Sequence, residues 1–333
     1  MDARTKLMDL PTAGLGHWPT PFHRLHRLSE ALDFDIWIKR DDVQGPALAG
    51  NKLRKFDLVV GEAVANGKNL LVTTGAAQSN SARTGAAAAA AMGMRSVLLL
   101  GGHTPPEPTG NLLIDQLVGT EIRFAGDVGW DYLSAGVNDI ISEFHRKGYK
   151  PFAAPVGCSS PLGSLGFARA FLELDQQLTE AGIEPTSIVH TSTSGGTHAG
   201  LLVGRRLAGR DVRLIGVDVG AIHANPAETL LDLADRSAER IGTHLDVDVS
   251  EVEVTTDQLG EGYAVPSEAG NEAISLLATT EAILLDPVYS GKGFAGFVDL
   301  IRSGQLDGPV IFWHTGGYHA LFHPPFMSGL SEV

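Results

Sequence analysis

The stretch Gly50-Asn51-Lys52-Leu53-Arg54-Lys55-Phe56 decides how this chain is read. A polar approach, Lys39 to Ala49, leads into it. Beyond it Leu53, Phe56, Val59, Val60, Ala63 and Val64 recur at near-helical spacing, so the stretch opens a helix. Lys52 therefore stands at a helix start beside a loop. A cation there is electrostatically unfavourable, because the N-terminal end of a helix carries partial positive charge. An anion such as a phosphate compensates it. A lysine amine also forms a Schiff base with an aldehyde once its pKa is lowered. The helix start and the neighbouring Arg54 and Lys55 push in that direction. A basic, solvated helix start fits the same residues and is the plainer reading of this stretch taken alone.

Working outward, Trp18-Pro19-Thr20-Pro21-Phe22 is an extended entry, since each proline biases its predecessor away from helix. A short helix is expected around Leu25 to Leu32 and a strand over Asp35 to Arg40. Downstream, Gly67 stops the Lys52 helix. Asn69 to Thr74 reads as a buried strand, Gly75 to Asn80 as a loop, the Ala-rich Ser81 to Met92 as a helix and Ser96 to Leu100 as a strand. This alternation implies a parallel sheet. A strand at Glu121 to Phe124 and a helix from Trp130 to Lys147 follow. The small-residue stretch Pro155 to Gly163 suggests a domain crossing, with a helix from Gly166 to Ala181 after it. A second strand–turn–helix–strand unit uses Ser187 to Thr191, Ser192 to Gly200, Leu201 to Leu207 and Val212 to Asp218. Late strands are expected at Ala282 to Leu285 and Val310 to Trp313. No repeat of solenoid period is present.

The chain has 333 residues, more than one core usually accommodates, so two domains are expected. A hydrophobic content of 43% with mixed charge indicates a folded globular protein, and the 40 glycines sit in tight turns rather than low-complexity runs. The net charge of −14 argues against a nucleic-acid partner, which needs a basic footprint. The single cysteine, Cys158, leaves no intrachain disulfide and fits a reducing compartment. No stretch is apolar for long enough to span a membrane, and Met1 to Lys6 lacks the apolar core of a signal peptide. A cytoplasmic protein is the expectation.

The loop Ser192 to Gly200 lies between a strand and a helix. Its glycines allow amide groups to turn inward at a helix N-terminus, with Ser194 and Thr197 adding hydroxyls. A phosphate cup is the preferred reading; a tight glycine turn is the alternative. The loop lacks the lysine of a nucleotide-binding P-loop. Ser79, Asn80 and Ser81 lie at another strand-to-helix junction. Capping explains them singly; together with Lys52 and the glycine loop they could hold a substrate carboxylate. His319 and His323 are spaced four apart, but Pro324 follows and no acidic third ligand is evident, so no metal is expected. Cys158 reads as a small packed residue rather than a nucleophile.

Five motifs occur in order: Gly50-Asn51-Lys52-Leu53-Arg54-Lys55, Gln78-Ser79-Asn80, Gly195-Gly196-Thr197-His198-Ala199-Gly200, Asp286 to Lys292 and His314-Thr315-Gly316-Gly317. With them the chain, from Pro19 to about Phe322, resembles the D-cysteine desulfhydrase and aminocyclopropane-carboxylate deaminase family of pyridoxal-phosphate enzymes. The resemblance implies the tryptophan-synthase β-like fold, fold type II. That fold has two open, twisted, mainly parallel α/β domains with the cofactor in the cleft between them. It places residues 1–48 and 162–333 in a large cofactor domain and 49–161 in a small substrate domain.

By the same resemblance Lys52 is the Schiff-base lysine, and Asn80, with Asn51 beside the lysine, holds the phenolic oxygen of pyridoxal phosphate. Lys55, Ser194, Gly195, Gly196 and Thr197 belong to the phosphate site. Ser79, Asn80 and Ser81 belong to the substrate-carboxylate loop. Tyr263 and Tyr289 match active-site tyrosines, although aromatic packing is the preferred reading from the residues alone. Ser290 and Thr315 match positions near the pyridine nitrogen. Deaminases carry glutamate and leucine at those two positions, so they look like the desulfhydrase branch. Gly157-Cys158-Ser159 looks more like the deaminase branch, and Ser81 replaces bulkier polar residues expected in both.

The expected activity is α,β-elimination from a sulfur-containing three-carbon amino acid, with Lys52 as base, by a homodimer. D-Cysteine is the first substrate choice. L-Cysteate sulfo-lyase and aminocyclopropane-carboxylate deaminase are the enzymatic alternatives. A non-catalytic amino-acid or cofactor-binding protein is the alternative of another class.

Overall fold

The computed structural model describes residues 1–327 and Leu330. Helix α1 (Ala3–Met8) is followed by β1 (Phe22–Arg24), α2 (His26–Leu32), β2 (Ile36–Arg40) and α3 (Lys52–Ala65). Then come β3 (Leu70–Ala76), α4 (Asn80–Ala91), β4 (Arg95–Gly101), α5 (Gly110–Leu117), β5 (Glu121–Phe124), α6 (Trp130–Arg146) and β6 (Pro151–Ala154). The chain continues through α7 (Pro161–Ala181), β7 (Ser187–Ser192), α8 (Gly196–Ala208), β8 (Arg213–Asp218) and α9 (Pro226–Arg240). Strand β9 (Glu253–Thr255), α10 (Glu268–Glu281), α11 (Ser290–Arg302) and β10 (Val310–His314) follow.

The strands form two sheets. A four-stranded sheet, ordered β5-β4-β3-β6, is parallel throughout and built from one continuous stretch of chain. A six-stranded sheet, ordered β1-β2-β10-β7-β8-β9, joins both ends of the chain, and only β1 runs antiparallel. Both faces of the larger sheet are covered, as parallel strands require. One face meets α7, α8 and α9, the other α2, α10 and α11. The architecture is the fold type II arrangement.

Local chemistry explains the elements. Alanines 82, 86, 87, 88 and 89 of α4 are all buried, so this helix lies close against its sheet. Helix α7 begins at Pro161, earlier than expected, because Ser160 caps the Gly163 amide at 3.0 Å and proline suits the first helical position. It is wedged between two neighbours. A β-carbon on Gly166 would lie 2.0 Å from Arg54 O of α3, and one on Gly200 of α8 would lie 2.0 Å from Ser164 O. Helix α8 likewise begins at Gly196, not at Leu201.

The strand expected at Ala282 to Leu285 is not there. Ile283 and Leu285 are buried and Leu284 is 45% exposed, which produces the strand-like alternation. The segment belongs to no ladder: Ala282 is the left-handed C-cap of α10, and the Leu284 carbonyl accepts from His314 Nε2 at 2.9 Å.

Helix α3 is fixed to the larger sheet by a buried charge cluster. Arg54 donates to both oxygens of Asp41 at 2.8 Å, to both oxygens of Glu173 at 3.0 Å and to Thr20 Oγ1 at 3.0 Å. Lys39 pairs with Glu173, and Trp313 Nε1 donates to Asp41 at 2.9 Å. Despite burial, the Arg54 and Lys39 charges hold the Glu173 carboxyl at about 2, below its ordinary 4.5. Its stabilisation is therefore complete above pH 4.5 and is lost as pH falls toward 2. Breaking a buried pair by removing one partner leaves an uncompensated charge, so Arg54→Met should cost about 3 kcal/mol in urea unfolding. It should also shrink the acid-side loss of stability. A cost under about 1 kcal/mol would show that the cluster does not hold the helix.

Candidate active site

The carboxyl ends of β3, β7 and β10 open onto one cleft between the sheets, the usual place for a ligand in open α/β folds. Lys52 and Lys55 reach it from the first turn of α3. That turn is pinned to the loop after β10. Gly50 has a φ of +65° and sits where a β-carbon would meet Thr315 O at 2.7 Å. The Asn51 amide donates to the same oxygen at 2.9 Å.

Among the described residues Lys52 Nζ has one hydrogen bond, to Asn51 Oδ1 at 3.3 Å. Desolvation brings its pKa down to about 8; the Arg83 charge also lowers it, while Cys158 and Asp286 oppose the shift. The expected effect of Arg54 is not seen, because its guanidinium points away from the cleft into the Asp41–Glu173 cluster. Lys55 is more exceptional. Its Nζ donates to Gly157 O at 3.2 Å and Ser159 Oγ at 3.1 Å, with no carboxylate among its described partners. Burial, then the Lys52 charge, hold it well below its ordinary value. A buried amine without a counter-charge is costly unless an anion completes it.

The glycine loop stands beside that amine. A β-carbon on Gly196 would lie 2.6 Å from Ser159 Oγ and 2.8 Å from Lys55 Nζ. The Gly196 amide donates to Ser159 Oγ at 3.2 Å, Ser194 Oγ lies 2.8 Å from that oxygen, and Asn51 Nδ2 donates to Thr197 Oγ1 at 3.2 Å. Gly195 adopts a φ of +81° as the N-cap of α8.

Ser79 caps α4 by accepting from the Ala82 amide at 3.1 Å and also lines the cleft. Asn80 Oδ1 accepts from Asn111 Nδ2 at 2.9 Å. Ser81 is buried on the cleft wall, and its hydroxyl has no partner among the described residues. Tyr263 and Tyr289 share a short hydroxyl–hydroxyl hydrogen bond, with ring centroids 5.9 Å apart. Desolvation raises both phenols, Tyr289 well above its usual value, so both are protonated donors at neutral pH. Thr315 lines the cleft. Ser290 does not: its buried hydroxyl donates to Asp286 Oδ1 at 2.6 Å and accepts the Asp286 amide at 2.8 Å. Gly196 also stands just behind the wall.

Ser159, Trp130 and Ile222 are among the contributors that escaped the sequence reading. Ser159 lies in the stretch taken as a domain crossing; its position after a strand and before a capped helix was the available signal. Trp130, at the start of α6, meets the Tyr263 ring edge-on at 6.2 Å. Ile222 follows β8 and joins the wall without a motif. Cys158 is buried, and burial pushes its thiol up to about 12.

The model of the family described as "Pyridoxal-phosphate dependent enzyme" matches residues 14–316. The chain is 40% identical over 320 residues to D-cysteine desulfhydrases of Salmonella choleraesuis and Salmonella schwarzengrund, covering 92% of this chain and 94% of each relative. A solved structure titled an ACC deaminase homologue superposes with a TM-score of 0.90 at 35% identity, covering 97% of this chain and 96% of that one. Threonine deaminase isoform 2 of Solanum lycopersicum shares the fold, with a TM-score of 0.68 at 15% identity over 95% of this chain and 83% of that one. The chain belongs to the pyridoxal-phosphate dependent enzymes, and pyridoxal phosphate is its cofactor.

The cleft chemistry fits that cofactor. A desolvated amine stands ready for its aldehyde, and an unpaired buried cation beside a glycine loop suits its phosphate. Gly196→Val should weaken cofactor binding by roughly tenfold or more while changing unfolding of the cofactor-free protein less. An unchanged dissociation constant would remove the loop from the phosphate site. An amine must be neutral to attack an aldehyde. The rate at which the cofactor-free protein links pyridoxal phosphate should therefore rise with pH through a midpoint near 8, not near the ordinary 10.5. A midpoint at the ordinary value would mean that Lys52 is solvated.

Proposed function

We propose that the protein eliminates hydrogen sulfide from D-cysteine, which with one water gives pyruvate, ammonia and hydrogen sulfide. The observation that carries this is likeness along nearly the whole chain to proteins named D-cysteine desulfhydrase, with a free cleft lysine and paired phenols in place. Bound pyridoxal phosphate supplies a carbonyl carbon for amine linkage and a conjugated ring that takes up negative charge from Cα.

Lys55, Ser194, Thr197 and the amides of Gly195 and Gly196 would hold the phosphate. Asn80, supported by Asn51, would donate to the ring oxygen. Thr315 would face the ring nitrogen, with Ser290 behind it on Asp286. Ser79 and the start of α4 would receive the substrate carboxylate, because a helix N-terminus favours an anion. The Ser81 hydroxyl is available to the same group.

Lys52, its pKa lowered by desolvation to about 8, would act in its neutral form as the base that removes the Cα proton. The Tyr263–Tyr289 pair is positioned to give a proton to the departing sulfur. Ser290 in place of a glutamate, with the Thr315 hydroxyl on the cleft wall, would favour an unprotonated ring nitrogen. A neutral ring suffices when thiolate leaves from Cβ.

We also read residues 1–48 with 162–333 as the cofactor domain and 49–161 as the substrate domain. The confinement of one sheet to β3 through β6 supports this. The family resemblance supports a cytoplasmic homodimer acting on a small amino acid.

The test is product analysis with D-cysteine, L-cysteine, L-cysteate and aminocyclopropane carboxylate. Pyruvate release should be fastest from D-cysteine and should disappear in Lys52→Ala. Faster sulfite release from L-cysteate, or 2-oxobutanoate release from the cyclopropane, would replace the proposed substrate. No turnover of any of the four would favour a binding protein.

A further inference from the structure

The two ends of an asparagine amide are nearly the same size, but one donates and the other accepts. Which end of Asn80 faces the cleft therefore decides what it can bind. Arg83, one turn along α4, is fully buried. A guanidinium only donates, so the group facing it must accept. Its Nε donates to Asn111 Oδ1 at 2.6 Å, and its Nη1 donates to Leu48 O at 3.2 Å and to Ala47 O.

Asn111, also fully buried, is thereby fixed with its oxygen toward Arg83. A second group sets the same polarity. Asn111 Nδ2 donates to the Gln78 backbone carbonyl at 2.9 Å, and a carbonyl only accepts. The Asn111 amide N–H donates to Gln78 Oε1 at 2.8 Å, which fixes its backbone as well. The other Nδ2 hydrogen goes to Asn80 Oδ1 at 2.9 Å. Asn80 must therefore turn its oxygen inward. Its Nδ2 has no hydrogen-bond partner among the described residues and lies near Gly317, so that a β-carbon there would meet it at 2.8 Å.

We propose that Arg83 and Asn111 are positioning residues that set the polarity of Asn80, so that its NH2 group faces the cofactor as a donor. This rests on the reading that Asn80 contacts the cofactor, and the test separates the two. A donor to an anionic ring oxygen lowers that oxygen's proton affinity. Losing it should raise the pH midpoint of the visible absorbance change of the bound cofactor. In Asn111→Asp the carboxylate only accepts, so Asn80 must reverse and present its oxygen to the cleft.

The experiment is pH titration of the cofactor absorbance in the holoenzyme, with thermal unfolding of each variant alongside. Asn80→Ala should raise the midpoint by about one pH unit or more, the size of a charge-assisted hydrogen bond. Asn111→Asp should do the same and add nothing in the Asn80→Ala background, as expected for residues acting in series. Arg83→Lys, which keeps a donor, should stay close to the parent. Where Asn111→Asp does not fold, Asn111→Leu replaces it and should shift the midpoint in the same direction. An unchanged midpoint in Asn80→Ala overturns the Asn80 reading and the relay with it. A shift in Asn80→Ala without one in the Asn111 variant overturns the relay alone, as do additive shifts in the double variant.

Discussion

Lys52 and Lys55 put two amines on one side of one helix, three residues apart, at the floor of a desolvated cleft. Neither makes a salt bridge among the described residues, and the Lys52 charge adds to burial in lowering Lys55. Two buried like charges in the first turn of a helix are unfavourable by every local measure. Residues that break local rules in this way are expected where function lies. Much of the surrounding structure bears on this one constraint. Gly157 O and Ser159 satisfy Lys55 hydrogens, and Asn51 satisfies Lys52. The remaining need is for negative charge, which a phosphate brings.

Such a turn must also be anchored, and the anchor lies on the opposite side of α3. Residues two apart on a helix project about 200° apart, whereas residues three apart return to within about 60°. Arg54 is therefore carried away from the cleft into Asp41 and Glu173. Its guanidinium carbon sits 4.3 Å from the centre of the Trp18 ring, so the N-terminal segment is drawn in as well. The same spacing keeps Lys55 with Lys52. The expectation that Arg54 would help depress the Lys52 pKa overlooked this helical geometry. Desolvation, a property of the closed cleft and not of neighbours in sequence, is the larger cause.

That contrast describes what was legible. The strand–helix alternation around Val72, Leu98 and Val189 showed a parallel α/β chain, because fully buried strands leave continuous apolar runs. The ordered motifs supplied Lys52, Ser79, Asn80, Gly195, Thr197, Tyr289 and Thr315 to one cleft, and Tyr263, named by the resemblance alone, joins them. Helix starts were less legible where small residues occupy the first turn, as at Gly196, because such residues carry no apolar period. The Ala282 to Leu285 segment misled for the reverse reason: alternating burial arose without a ladder. Trp130, Ser159 and Asn111 act through contacts with segments far away in sequence, and no local pattern marks such residues.

Asp286 is a buried carboxylate that raises the Lys52 pKa from a distance while its own oxygens are taken up by the turn it begins. Its oxygens accept the amides of Val288, Tyr289 and Ser290 at 2.8 to 2.9 Å and the Ser290 hydroxyl at 2.6 Å. Those four donors hold the turn that aims Tyr289 into the cleft and occupy Ser290 in doing so. Desolvation raises the carboxyl pKa while each hydrogen bond opposes it, so the group is committed to structure. Of Ser290 and Thr315, it is Thr315 that lines the cleft. Ser290 shapes the turn, while Thr315 lines the cleft on the same loop whose carbonyl pins the start of α3.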